Sequence, residues 1–226
     1  MANFVIDLAP LRKSRDFSLL WAAGLISYFG SMITYVAVPF QVKELTGSYV
    51  AVAISGLVEI VPLIIFGLYG GVLADALDRK KLIWITELLS LLFTAILLIN
   101  SMMDSPSLLL IYIVSGLFAA TSGLRQPAMQ AALPRLVDHE DMTAAAALMS
   151  LRWQIGVIVG PAIGGVLIST YSVAVGYAAD IATFVISLAL IAFMKNIPPS
   201  HEAEAPSLSA LIEGVKYAFS RKDLLG

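Results

Sequence analysis

Between residues 49 and 74 the chain reads YVAVAISGLVEIVPLIIFGLYGGVLA, and the single charged side chain in this stretch is that of Glu59. An α-helix needs about 20 consecutive apolar residues to cross the hydrocarbon core of a bilayer. Its backbone hydrogen bonds are all satisfied within the segment, which lipid requires. The length and the composition of this stretch therefore predict a transmembrane helix.

Five further apolar stretches meet the same requirement, at residues 17–40, 82–103, 108–130, 144–170 and 173–194. Hydrophobic residues make up 59% of the 226-residue chain and charged residues 13%, against roughly 25% charged residues in soluble domains. The connections between the stretches are short and polar. We predict an all-α membrane protein with six transmembrane helices.

Lysine and arginine side chains collect on one side of the predicted bundle. They precede the first span and follow the second, fourth and sixth, whereas the loops on the other side hold one such residue, Lys43. Because positively charged loops stay in the cytoplasm, both termini are predicted to be cytoplasmic. The protein is then a multi-pass protein of the cell inner membrane.

The predicted bundle occupies residues 17–194, after a cytoplasmic amino terminus at residues 1–16. From residue 196 to residue 206 the sequence is polar and rich in proline, which predicts an extended linker. A partly amphipathic pattern begins at Ser207. For residues 195–226 we therefore predict a cytoplasmic linker and the start of an amphipathic helix, with the chain ending before a seventh span.

Several function classes are disfavoured by composition. The net charge of −2 leaves no basic surplus for nucleic acid. The chain has no cysteine, and its two histidines, His139 and His201, lie outside the apolar stretches, so we expect no metal and no cofactor. We found no phosphate-binding loop, nucleophile elbow or zinc-ligand spacing, and we predict that the protein is not an enzyme.

A charged loop, GVLADALDRKK at residues 71–81, joins the second and third spans. Gly71 would let neighbouring helices approach closely, Asp75 could lie against a helix amino terminus or a cation, and Arg79 and Lys80 would face anionic headgroups. We predict a gating loop. The alternative is that the bases serve only as a topology signal.

The fifth span combines small residues with a proline. Small residues at four-residue spacing permit close helix contact, and proline can bend a helix. We predict a specialised packing face, with an ordinary glycine packing motif as the alternative. Its residues are Gly156, Gly160, Pro161, Gly164 and Gly165.

These two segments resemble motifs of the major facilitator superfamily. The loop is similar to the signature G-x-L-x-D-x-x-G-R-[RK], from which it departs at Ala76 and Asp78, and the fifth span is similar to the antiporter motif G-x-x-x-G-P-x-x-G-G. Residues 106–112 and 127–137 resemble the bacterial multidrug and enterobactin exporter branch. The resemblance covers essentially the whole chain.

The resemblance implies the amino-terminal half of a 12-helix fold, built from two inverted three-helix repeats. It implies alternating access with a carboxy-terminal six-helix half, and proton-coupled efflux of a drug-like or siderophore-like small molecule. Two alternatives stay open. One is uptake or facilitated diffusion by the same fold, and the other is an inactive half-transporter fragment.

Charged side chains within the spans are the candidates for coupling and substrate binding, because an ionisable group in the membrane needs a cavity or a partner. Glu59 is the first candidate for a proton-coupling acid, with a structural hydrogen-bonded glutamate as the alternative. Arg152 would either bind an anionic substrate group or pair with Asp180 or Glu87. Asp180 is the third candidate.

Two further charges, Glu87 and Arg125, lie nearer the predicted cytoplasmic ends of their spans. We predict that they join Asp75 in a charge network on the inner side. A mid-span set of larger side chains in the first span would line a substrate cavity or, alternatively, serve ordinary packing. These side chains are Tyr28, Met32 and Tyr35.

Overall fold

A computed structural model describes residues 7–198 of the chain, and all of its regular structure is helical. A short helix, α1, precedes six long ones, and a single 3-10 turn at residues 139–141 lies between α5 and α6. The helices are α1 (Ala9–Lys13), α2 (Arg15–Thr46), α3 (Tyr49–Ala76), α4 (Arg79–Ser101), α5 (Leu108–Leu136), α6 (Met142–Thr170) and α7 (Val173–Ala192).

Helices α2 to α7 are each long enough and apolar enough to cross a membrane. The predicted six-helix, all-α fold is confirmed. The linker and amphipathic helix predicted for residues 195–226 lie, from residue 199 onward, outside the described residues. We call the end of the bundle that holds the α3–α4 connection the Arg79 end, and the other end the Ser107 end.

Side-chain caps explain where most of the long helices begin. Ser14, Ser48, Ser107 and Ser172 each accept a hydrogen bond from the backbone N–H three residues ahead, and Asp78 does the same for α4. A capping oxygen satisfies one of the amide groups that have no partner in the first turn. Serine and aspartate are therefore found where the chain turns back into the bundle.

Three helices extend past the carboxyl ends of their predicted spans. Residues 41–46, predicted as loop, continue α2 until Gly47, whose φ of 65° ends the helix. Gln41 in this extension is buried and accepts a hydrogen bond from the Tyr177 hydroxyl at 2.8 Å. Helix α3 runs to Ala76 and α5 to Leu136. Tertiary contacts stabilise these additional turns, which hydropathy alone does not reveal.

The helices pack in two matching sets. Helix α2 packs against α6 and α7, while α5 packs against α3 and α4, and α4 contacts α7. Exchanging α2, α3 and α4 for α5, α6 and α7 reproduces this pattern. Because the two sets run in opposite directions through the bundle, this is the arrangement of an inverted three-helix repeat.

Helices α3 and α5 approach each other closely at glycine residues. A Cβ on Gly123 of α5 would lie 2.7 Å from the Leu63 carbonyl oxygen and 2.9 Å from the Gly67 nitrogen, both in α3. A Cβ on Gly70 would lie 2.9 Å from the Leu124 Cα. Helices α3 and α5 can touch at this distance only because these positions carry no side chain.

Candidate functional site

Glu87 lies about 12 Å into the bundle from the Arg79 end, at 1.5 Å per residue along α4. Its side chain is almost fully buried and forms a salt bridge with Arg125 of α5, with 2.5 Å between Oε2 and Nη1. Its second oxygen accepts a hydrogen bond from the Ser187 hydroxyl of α7 at 2.7 Å. Both carboxylate oxygens therefore have donors, and the charge has a partner.

Asp180 lies at a similar depth from the Ser107 end, about 10 Å along α7. It is fully buried, and its Oδ2 accepts hydrogen bonds from Thr34 of α2 at 2.5 Å and from Thr94 of α4 at 3.4 Å. Thr183, one turn further along α7, lies 3.3 Å from Oδ1. Within residues 7–198 no cation forms a salt bridge with this carboxyl group.

The two acids occupy equivalent places in the two repeats. Thr94 lies two turns after Glu87 in α4, and Ser187 lies two turns after Asp180 in α7. Each acid accepts a hydrogen bond from the hydroxyl on the other acid's helix. The remaining donor is Arg125 of α5 for Glu87 and its counterpart Thr34 of α2 for Asp180.

The sequence prediction missed this reciprocity, although it named both acids. A signal for it exists: aligning residues 15–101 with residues 108–192 as two repeats pairs acid with acid and hydroxyl with hydroxyl. The same alignment pairs Trp21 with Tyr112. Trp21 donates to a backbone carbonyl of α6, and Tyr112 donates to a backbone carbonyl of α3.

Arg152 of α6 lies beside the Glu87–Arg125 pair but does not join it. Its Nε and Nη1 atoms are buried and have no hydrogen-bond partner. The guanidinium lies over Gly24 of α2, where a Cβ would overlap it. The pairing of Arg152 with Asp180 or Glu87 considered from sequence is wrong for the described chain, because Arg125 pairs with Glu87 and hydroxyl groups surround Asp180.

A small cavity of about 30 Å³ opens next to this guanidinium. Two cationic side chains and one carboxylate surround it, so its wall carries a surplus positive charge. A guanidinium presents planar donors that suit carboxylate or catecholate oxygens. The lining residues are Gly24, Ser27, Tyr28, Glu87, Arg125, Gln126, Met129 and Arg152.

The other predicted site residues are placed apart from this cavity, with the exception of Tyr28. Glu59, in the middle of α3, is half-buried and makes no hydrogen bond or salt bridge in the described part of the chain. Tyr28 and Met32 pack over Gly156 and Gly160, where Cβ atoms would overlap them. Tyr35 is 62% exposed.

The glycine face predicted in the fifth span is a contact surface between α6 and α2. Gly164 approaches Ile33, where a Cβ would lie 3.1 Å from the Ile33 Cα, and this contact continues the row of Gly156 and Gly160. Gly165 does not take part, because nothing lies within 4 Å of its Cβ position. Pro161 is within α6, which continues through it.

The predicted gating loop is shorter than the sequence suggested. Gly71 and Asp75 belong to α3, and the connection consists of Leu77 and Asp78. Gly71 has no neighbour within 4 Å of its Cβ position, so the close approach expected there occurs at Gly70 instead. Asp75 is exposed and forms no salt bridge with Glu87 or Arg125. The charge network predicted from these three residues therefore contains Glu87 and Arg125 but not Asp75.

The basic residues of this loop bind the end of α7 and the segment that follows it. Lys80 donates to the carbonyl oxygens of Ala192 and Met194, and Arg79 donates through Nη1 to the Pro198 carbonyl at 2.7 Å. Cations are favourable at a helix carboxyl end because the last carbonyls have no intrahelical partner. The loop therefore fastens α7 to the start of α4.

Asp78 gives the departure from the family signature a structural reason. Its Oδ1 caps α4 by accepting from the Lys81 N–H and also accepts from the Ile197 N–H, each at 3.2 Å. The Arg79 N–H donates to the Ile197 carbonyl at 3.0 Å. A glycine at position 78 would supply neither side-chain contact.

Comparison with known proteins agrees with this architecture. The family model described as transmembrane secretion effector, a major facilitator family, matches residues 5–224. Similar relatives include the enterobactin exporters EntS of Shigella boydii serotype 18 (strain CDC 3083-94 / BS512) and of Escherichia coli O1:K1 / APEC. Each is 32% identical over 219 residues, covering 95% of this chain and 52% of the relative.

Six helices that are long enough and apolar enough to cross a membrane define a multi-pass membrane protein, and its relatives are transporters rather than enzymes. The chain belongs to the transmembrane secretion effector family of the major facilitator superfamily. The resemblance inferred from the loop and the glycine motif is confirmed. The chain spans about half the length of the curated relatives it matches.

Proposed function

We propose that this chain forms the amino-terminal half of a secondary carrier that exports an anionic small molecule in exchange for protons. The observation that carries the proposal is the Arg152 guanidinium, whose buried Nε and Nη1 atoms have no hydrogen-bond partner, next to the salt bridge that holds Arg125. A buried cation without a partner is costly in a membrane. An anionic substrate group would supply the missing acceptors.

The substrate class follows from this site together with the relatives. Arginine binds carboxylate and catecholate oxygens through paired N–H donors, and the relatives are named as enterobactin exporters. A siderophore-like or drug-like anion is the proposed cargo. The cavity beside Arg152 holds about one water molecule, so a second six-helix half is proposed to complete the binding site across the bundle.

The remaining roles follow from alternating access. The Arg79 end is proposed to be cytoplasmic, because the lysine and arginine side chains collect there. Asp75, exposed at the end of α3, is then free to contact the second half and close the inner gate, while Arg79 and Lys80 hold α7 in place. Glu59 and Asp180 are the proposed proton-coupling acids, because neither has a counter-charge within residues 7–198.

Transport into everted membrane vesicles tests the proposal, using the full reading frame that contains this chain. Radiolabelled enterobactin should accumulate when the vesicle interior is acidified, and an uncoupler should abolish the accumulation. Arg152→Gln should raise the half-saturating substrate concentration at least about tenfold, because a hydrogen bond to a charged group contributes about 1.5–3 kcal/mol.

Arg135→Gln is the matched control, since it removes an exposed arginine at the Arg79 end and should leave half-saturation unchanged. Equal half-saturation for Arg152→Gln and the original carrier would refute the substrate role of Arg152. Gradient-driven accumulation in right-side-out vesicles instead would identify an uptake carrier.

A further inference from the structure

The carboxyl group of Asp180 is sealed inside the bundle at the contact between α2, α4 and α7. It is fully buried, and its surroundings are the hydroxyl groups of Thr34, Thr94 and Thr183. An isolated carboxylate in an apolar interior is strongly disfavoured relative to the neutral acid. The protonation state of this group is therefore decided by the donors and charges around it.

None of the elements packed against α7 supplies a counter-charge to it in the described part of the chain. Glu87 of α4 is itself an acid, and its partner Arg125 is occupied with it. Tyr177 of α7 donates its hydroxyl to Gln41. In residues 17–40 of α2, 82–101 of α4 and 144–170 of α6, the other ionisable side chains are Tyr28, Tyr35 and Arg152, and none forms a salt bridge with Asp180.

The hydrogen atoms available to Oδ1 can be counted. A threonine hydroxyl carries one hydrogen, and the Thr183 hydroxyl can donate it either to the Asp180 backbone carbonyl, the nearer acceptor at 2.7 Å, or to Oδ1. The same Thr183 oxygen lies 3.3 Å from Oδ1. Oδ1 and this oxygen can share a full hydrogen bond if the carboxyl group brings the hydrogen, donating it from Oδ1 while Thr34 donates to Oδ2.

Helix α2 closes over this group at Gly30. A Cβ on Gly30 would lie 2.5 Å from Asp180 Oδ1 and would overlap the Thr183 hydroxyl. The α2 backbone thus covers the oxygen to which the hydrogen is assigned. A proton can exchange with water here only if α2 moves away from α7.

We propose that Asp180 is a reversible proton-binding site closed between α2 and α7, and that its protonated form holds these two helices together in the present conformation. The carboxylate takes up one proton from water and returns it, and no other covalent bond changes. Loss of the proton leaves a buried charge without a counter-charge, which favours separation of α2 from α7. Use of this site in export rests on the function proposed above.

Infrared spectroscopy of this chain in lipid nanodiscs tests the site without a transport assay. A protonated carboxylic acid has a C=O stretching band that is separate from the bands of the carboxylate. At neutral pH such a band should be present, and it should shift when the aspartates carry carboxyl carbon-13. Asp180→Asn should abolish the shifting component, whereas Asp104→Asn, at an exposed position, should retain it.

The isotope shift is measured on the unsubstituted chain, so the test does not depend on Asp180→Asn folding. Absence of an aspartate-derived acid band at neutral pH would overturn the inference, and so would its loss when sodium replaces potassium, which would indicate a cation site. If the band is present and assigned to Asp180 but vesicle export ignores the pH gradient, the proton site stands and the proposed coupling fails.

Discussion

The two buried acids of the bundle occupy equivalent positions in the two repeats, but only one of them has a counter-charge within residues 7–198. Glu87 and Asp180 sit at similar depths from opposite ends, and each accepts a hydrogen bond from a hydroxyl on the other's helix. The remaining donor differs between the inverted repeats: Arg125 of α5 donates to Glu87, whereas Thr34 of α2 donates to Asp180. One position therefore holds a fixed ion pair, and its counterpart holds an acid without a counter-charge in residues 7–198.

With the proton site proposed above, this difference assigns a structural role to Glu87 and a switching role to Asp180. An ion pair whose side chains are 2% and 12% exposed has no reason to change its charge during a conformational cycle, because removing either charge leaves the other uncompensated. An acid that faces only hydroxyls can be neutral or charged depending on access to water. The following changes test this contrast, beginning with the largest expected effect.

Glu87→Gln should be the most destabilising of these changes. It leaves the Arg125 guanidinium buried against a neutral amide, and breaking a buried pair on one side costs about 3–5 kcal/mol. The measurement is the free energy of unfolding of the purified chain in mixed micelles, followed by circular dichroism during titration with a denaturing detergent.

The double variant Glu87→Gln with Arg125→Gln is the control for this prediction. Removing both charges should recover more than half of the lost stability, since no uncompensated charge remains. A cost below about 1 kcal/mol for Glu87→Gln alone would mean that the ion pair is not what fixes this corner of the bundle.

Gly123→Ala should come next, and it compares the two helix pairs. The added methyl group would meet the backbone of α3, which cannot rotate away, so a cost of about 1–3 kcal/mol is expected from overpacking. Gly156→Ala, in the corresponding α2–α6 pair, meets the Tyr28 ring, which can move. Its cost in the same unfolding titration should therefore be smaller.

Gly165→Ala is the control, because its Cβ position is open and alanine is the better helix former. It should leave stability unchanged or raise it slightly. If Gly156→Ala proved as costly as Gly123→Ala, the two repeats would be equally rigid at their outer contacts, and the distinction drawn from backbone and side-chain neighbours would be wrong.

Much of this fold could be predicted from local sequence. Each transmembrane span can be recognised from its length and hydropathy, which depend on the sequence of that segment alone. The ends of the helices were less predictable, because they depend on partners elsewhere. Residues 41–46 are polar enough to suggest a loop, yet Gln41 is buried against Tyr177 of α7 and the helix continues.

The charged residues of the candidate site could be predicted from the sequence, but which of them form ion pairs could not. Any charge within a span is a candidate, so Arg152, Asp180, Glu87 and Arg125 could all be named. Which of them meet depends on which helices are neighbours. Because α5 rather than α6 packs against α4, Arg125 rather than Arg152 reaches Glu87. The inverted repeat can be recognised in the sequence only at a few polar positions, because the apolar residues of the two halves differ.

Asp180→Asn should be nearly neutral for folding, in contrast to Glu87→Gln. Asparagine has the size of aspartic acid and keeps an uncharged side chain that accepts from Thr34 through its oxygen. We expect a change below about 1 kcal/mol in the free energy of unfolding at neutral pH, within the usual range for a single neutral hydrogen bond. A loss comparable to that of Glu87→Gln would show that the carboxyl group is ionised and stabilised in the folded state.

The smallest effect is expected at the Arg79 end, where an ion pair between an exposed lysine and a buried aspartate joins α1 to the turn before α6. Lys13 Nζ lies 2.9 Å from Asp141 Oδ2, and the hydrogen bond to Asp141, followed by the attraction of that charge, raises the pKa of Lys13 above 10.5. A raised pKa adds stability below the unfolded value, and this is lost as the pH rises through the folded value. Lys13→Gln should therefore be slightly less stable than the original chain at neutral pH, and the two unfolding curves should converge in alkali.

Asp104→Asn, which removes an exposed charge without a salt bridge in residues 7–198, should show no such convergence. A difference between Lys13→Gln and the original chain that persisted in strong alkali would assign the contribution of Lys13 to packing of its aliphatic stem instead of its charge.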